Sequence, residues 1–123
     1  MVLADTSVWV SHLRWGNALL ETLLLEEMVV CHLFIIGELA CGNLKNRKEV
    51  ISLLQALPTV NLPDHHEALE FIESKRLMGL GIGYVDVHLL AAAVLNKVSL
   101  WTIDKQLRGV ATRLNVQYDG KTI

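Results

Sequence analysis

Short apolar runs that suit β-strands alternate with longer runs of helical periodicity along the 123 residues, and no other feature constrains the fold as tightly. Residues 2–4 (VLA), 28–30 (MVV), 59–62 (TVNL), 98–103 (VSLWTI) and 116–118 (VQY) read as strands. Helices are expected over 6–14, 17–27, 32–42, 46–57, 64–78, 84–97 and 104–114. Gly16 separates the first two helices, Gly42 and Asn43 stop the third, and Pro58 stops the fourth. Pro63-Asp64 opens the fifth, which carries Leu69, Ile72 and Leu77 on one side, and Gly79, Gly81 and Gly83 make a flexible connection to the sixth. Strands alternating with helices predict an α/β fold of three layers, a mostly parallel central sheet flanked by helices, as one domain over residues 1–123.

Four acids stand at positions that this pattern makes conspicuous. Asp5 follows the first strand and Asp104 the strand ending at Ile103. In open α/β sheets, ligands bind outside the carboxyl ends of the strands. Each aspartate also precedes a helix, so capping alone accounts for either one; adjacent parallel strands would bring the two together. Glu38 has Phe34, Ile35, Cys41 and Gly42 three and four residues away, with no polar neighbour at those steps, which predicts that it lies against the core. Asp86 sits among Ile82, Gly83, Leu89 and Leu90 at the start of an apolar helix, where the helix dipole favours it without pairing its charge. Two like charges ~5 Å apart at an effective dielectric of ~20 repel by roughly 3 kcal/mol. A cluster of four therefore needs shared protons or a cation. Oxygen-only ligands favour Mg²⁺ or Mn²⁺, and such an ion in an acid pocket is a common device for phosphodiester cleavage.

The remaining composition narrows the classes. Thirteen acids against eleven bases give a net charge of −2, which is not the profile of a chain that holds nucleic acid by charge alone. Hydrophobic residues make up 52% and the mean hydropathy is +0.38, which implies a thick core or an apolar surface kept for a partner. Cys31 and Cys41 fit no redox or zinc spacing and read as reduced, buried core thiols. An acid after only three apolar residues beyond Met1 leaves no room for a signal peptide or a membrane span there, so a soluble, cytoplasmic protein is expected.

Four segments, in order, resemble the motifs of PIN-domain ribonucleases, and most closely the VapC-type toxins of toxin–antitoxin pairs. Residues 3–14 (LADTSVWVSHLR) resemble the first motif, a strand ending in Asp-x-Ser. Residues 36–42 (IGELACG), 83–93 (GYVDVHLLAAA) and 100–107 (LWTIDKQL) resemble the second, third and fourth. The resemblance spans essentially the whole chain. It implies a PIN-like fold, cleavage of RNA, and Asp5, Glu38, Asp86 and Asp104 as a catalytic and metal-holding quartet. It also implies that Ser7 helps to orient the site, with Thr6 a weaker candidate, and that the partners are an RNA substrate, a cognate antitoxin and a second copy of the chain. The leucine-rich residues 19–28 offer surface for such a partner, or an ordinary buried helix face. Ile103 departs from the family, in which a basic residue is frequent before the last Asp.

Other residues fit blander roles. Lys45, Arg47 and Lys48, and Lys105 and Arg108, could touch an RNA backbone or simply be solvated. Trp9, Trp15 and Trp101 could stack on bases, although packing suits all three; Arg14 and Trp15 are expected near the edge of the site. His65 and His66 at a helix start, and His88, read as surface or core histidines and not as catalysts. Two rivals come from other classes: a PIN-like scaffold without turnover, and a phosphoacceptor receiver module. The receiver needs paired acids after its first strand and a Lys after its last, whereas Asp5 is followed by Thr6 and Ser7, and the last strand by Asp119-Gly120-Lys121.

Overall fold

The computed structural model describes residues 1–120; Lys121 lies outside the described residues. The chain opens with β1 (Val2–Ala4), buried at all three positions. The carboxylate of Asp5 then caps α1 (Thr6–Trp15), and Gly16, at φ +77°, ends that helix by donating its N–H to His12 O at 2.8 Å. Asn17 caps α2 (Ala18–Leu25) by accepting from Leu20 N at 3.0 Å. After β2 (Val29–Val30), the imidazole of His32 caps α3 (Leu33–Ala40), its Nδ1 accepting from Phe34 N at 3.0 Å. Next come α4 (Arg47–Ala56) and α5 (His65–Lys75), the latter opened by a reciprocal capping box between Asp64 and Glu67. Then follow α6 (Tyr84–Asn96), β3 (Ser99–Trp101) and α7 (Lys105–Arg113), which Asp104 caps.

The strands form a parallel sheet in the order β2-β1-β3, with Val2 opposite Val29 and Ser99, and Ala4 opposite Trp101. The chain moves from β1 to one side, then returns past it to the other. Right-handed crossovers in opposite directions put helices on both faces, and the reversal at β1 makes the carboxyl ends of β1 and β3 a topological switch point. Leu3, Leu100, Leu20, Ile35 and Leu107 are fully buried around the sheet, each contributing roughly 1.5–3 kcal/mol relative to exposure. In α6, Val87 and every residue from there to Ala93 is buried, so this helix is enclosed nearly all round.

Several expectations need correction. Residues 59–62 and 116–118 are not ladders but single parallel bridges, Thr59 to Cys31 and Gln117 to Leu100. The first segment is flanked by Pro58 and Pro63, which offer no N–H, so its pairing reduces to the two bonds of Cys31, from its N to Pro58 O and from Val60 N to its O. Leu69 is exposed, and Ala68 and Leu77 take the buried side of that segment. Cys31 is buried as expected, whereas Cys41 is exposed just beyond the end of α3. Among the described residues, no helix is long and apolar enough to cross a membrane.

Candidate active site

The site begins where the β1–β3 ladder ends. Asp5 N donates to Trp101 O at 2.9 Å, which sets Asp5 beside Thr102 one step past the last ladder pair. Asp5 is 6% exposed and Thr102 3%. The Thr102 hydroxyl donates to Asp5 Oδ2 at 2.5 Å and accepts from Asp104 N at 3.0 Å. On the other oxygen, Asp5 Oδ1 accepts from Ser7 Oγ at 2.5 Å and from Val8 N at 3.2 Å, and Ser7 Oγ in turn accepts from Ile103 N at 3.1 Å. Two hydroxyls therefore lock the first acid to the segment that carries the last one. Burial raises the Asp5 carboxyl pKa above its ordinary value, against the opposing pull of these hydrogen bonds.

Asp104 opens α7 and is exposed, its Oδ1 accepting from Leu107 N at 3.0 Å. Asp86, half-buried in the first turn of α6, reaches back to accept from Gly83 N at 3.2 Å. Its pKa is raised first by burial, and then by the charges of Asp104, Asp5 and Glu38, with only the Gly83 bond opposing. The charge of every other acid in the quartet thus reaches the Asp86 carboxyl. Glu38 stands on α3, where Thr6 Oγ1 donates to its Oε1 at 2.6 Å. Asp5 and Asp104 each cap a helix, and the charge of each also raises the Asp86 pKa.

Glu38 does not lie against the core as its neighbours suggested. It is exposed, because Gly37, Cys41 and Gly42 around it are exposed too. Arg14 and Trp15 end α1, which starts beside Asp5 and spans about 15 Å. Trp9 is buried and Trp101 packs on Tyr118 at 5.4 Å between ring centroids. Arg47 folds back so that its guanidinium donates to Ala40 O at 2.8 Å, closing the carbonyl end of the Glu38 helix. Lys45, Lys105 and Arg108 are exposed, as are His65 and His66, while His88 is buried. The residue that sequence reading missed is Thr102. Its one signal was a lone hydroxyl in the apolar run Leu100-Trp101-Thr102-Ile103, two residues before an acid.

Among the described residues, no Lys or Arg is ion-paired with any of the four acids. An all-oxygen donor set carrying uncompensated negative charge is what a hard divalent cation takes. No three His, Cys, Asp or Glu side chains among the described residues stand close enough to make a ready-made cation site; Asp5 is held on Ser7 and Thr102, and Glu38 on Thr6.

No protein-family model matches the chain. Ribonuclease VapC32 of Mycobacterium tuberculosis (strain CDC 1551 / Oshkosh) is 40% identical to it over 117 residues, covering 94% of each protein. Ribonuclease VapC32 of strain ATCC 25618 / H37Rv matches with the same identity and coverage. Likeness of that degree over nearly the whole chain shows the family: the chain belongs to the VapC family of ribonucleases.

Proposed function

We propose that the protein is a divalent-metal-dependent endoribonuclease, the toxin of a toxin–antitoxin pair, with Asp5, Glu38, Asp86 and Asp104 as its catalytic acids. The observation that carries this reading is the Asp86 carboxyl, pushed up first by burial and then by the charges of the three other acids, in a chain of the VapC family. Asp5 and Asp86 would hold Mg²⁺ or Mn²⁺, with Glu38 and Asp104 completing the donor set or taking up a proton. When bound there, the ion supplies positive charge to the phosphodiester and lowers the pKa of the attacking water. Ser7 and Thr102 fix both oxygens of Asp5 so that it keeps one orientation. Thr6 steadies Glu38 from the same turn of α1, leaving its other carboxylate oxygen free of that bond. Water as nucleophile leaves a 5′-phosphate on the product.

The name of the relative supports RNA as substrate. A cognate antitoxin and a second copy of the chain are the partners proposed, supported by exposed apolar side chains such as Leu25, at 86%, and Leu53, at 63%.

The test is cleavage of single-stranded RNA by purified protein in Mn²⁺ or Mg²⁺. Asp5→Asn and Asp86→Asn each remove a charged oxygen while keeping the shape, and each is expected to abolish cleavage. Near wild-type turnover by either variant overturns the quartet.

A further inference from the structure

Tyr84 and His65 are the first residues of α6 and α5, and their rings meet at the surface, Tyr84 in the same first turn of α6 that carries Asp86. The centroids are 5.5 Å apart, edge to face, and a 2.5 Å hydrogen bond joins the Tyr84 hydroxyl to His65 Nδ1. One turn deeper, the buried ring of His88 packs edge-on against Tyr84 at 4.6 Å. Behind His88 stands Phe34 of α3, at 4.8 Å. Tyr84 is 41% exposed, yet two ring contacts and a hydrogen bond hold it in one pose. An exposed aromatic ring that is fixed before any ligand arrives loses little entropy when something stacks on it.

We propose that the surface ring pair Tyr84–His65 is a stacking platform for an unpaired base of the RNA, one that flanks the scissile phosphate. The proposal rests on the ribonuclease reading above. Tyr84 precedes Asp86 by two residues, so both lie in the first turn of α6 but point about 200° apart around its axis. The ring therefore stands outside the Asp86 side of α6, and its link to the acids runs through α3, where Phe34, which backs His88, lies one turn before Glu38 on the same face; that suits a neighbouring base and not the reacting phosphate. Charge does not hold the substrate on its own, since the chain is net negative and no Lys or Arg among the described residues pairs with the acids. Single-stranded RNA is commonly gripped through base faces on aromatic rings. The tryptophans do not supply such a face here: Trp9 is buried, Trp101 is packed on Tyr118, and Trp15 is at the far end of α1.

The experiment measures binding, without turnover, of a short fluorescein-labelled single-stranded RNA that the wild type cleaves in Mn²⁺. Anisotropy titrations are run in chelator, with a series of the same RNA carrying one abasic ribose at each position in turn. Tyr84→Leu should bind the intact RNA roughly five- to a hundred-fold more weakly than wild type, and Tyr84→Phe, which keeps the ring, should bind within a few-fold. One abasic position next to the cleavage site should weaken wild type by a similar factor and leave Tyr84→Leu unaffected. If Tyr84→Leu binds like wild type, or if every abasic position acts equally on the two proteins, the platform is overturned while the nuclease stands. A loss as large in Tyr84→Phe as in Tyr84→Leu also overturns it, because the ring would then not be the feature bound. If the wild type cleaves no RNA, the nuclease reading and the platform fall together.

Discussion

A single hydroxyl, that of Thr102, makes two hydrogen bonds of opposite sense, donating to Asp5 and accepting from the backbone of Asp104. The atoms it serves belong to the ends of neighbouring strands, and Asp5 is buried, so water cannot easily take its place. Thr102→Val keeps the shape and removes both bonds. It should cost about 1–3 kcal/mol of stability in urea unfolding, since a buried acceptor and a backbone donor lose their partner. It should also depress RNA cleavage, and Thr102→Ser should recover most of both losses. Equal stability of the valine and threonine proteins would show that the hydroxyl does not tie the strand ends. Ser7 acts on the other Asp5 oxygen in the same way, accepting from Ile103 N while donating to the carboxylate. The motif that contains Ser7 was visible in the sequence. Thr102 was hidden inside a strand pattern, because its partner lies 97 residues away.

At the scale of elements, α3 carries Glu38 and is capped by a fully buried histidine. Burial, aided by the nearby His88, lowers the His32 pKa to about 4 from 6.5. The folded state therefore binds a proton less readily than the unfolded chain. The stability that follows is fully present above pH 6.5 and is lost as pH falls through about 4. His88, lowered mainly by its own burial, acts in the same direction. His32→Asn retains a capping oxygen but cannot take up a proton. The wild type should lose melting temperature between about pH 6.5 and 4, and the asparagine variant should lose less across that window. Parallel curves for the two proteins would show that His32 does not titrate against folding. The caps of α1, α5 and α7 were legible because Asp5, Asp64 and Asp104 each precede a helical run directly. The cap on α3 was not, since histidine does that work only when tertiary burial keeps it neutral.

For the molecule as a whole, the proposed quartet would link metal, protons and stability. The raised pKa values of Asp5 and Asp86 mean that the metal-free folded state holds protons more tightly than the unfolded chain. Their contribution is present below the ordinary carboxylate range and is lost as pH rises through the folded values. At neutral pH the cluster is thus a net cost, and an ion that binds only the folded state should offset it. Mn²⁺ at a hundred times its Kd should stabilise the protein by about 2.7 kcal/mol, read as a higher melting temperature. Asp86→Asn should melt higher than wild type in chelator and respond less to the metal. An absent metal response, with the asparagine variant melting lower in chelator, would show that the acids do not act as one site. The parallel α/β order and the two strand-end aspartates were determined by the sequence itself. Strand period, helix period and cap all lie within a few consecutive residues, and a parallel crossover leaves little choice once they alternate. Only the tertiary structure decided that Glu38 is exposed and held by Thr6, 32 residues away along the chain, and that Tyr84 meets His65. The physical reason is that periodicity reports a helix's own faces, whereas exposure and partners depend on which other elements pack against them. Those contacts close loops of tens of residues, and no local pattern in the chain records them.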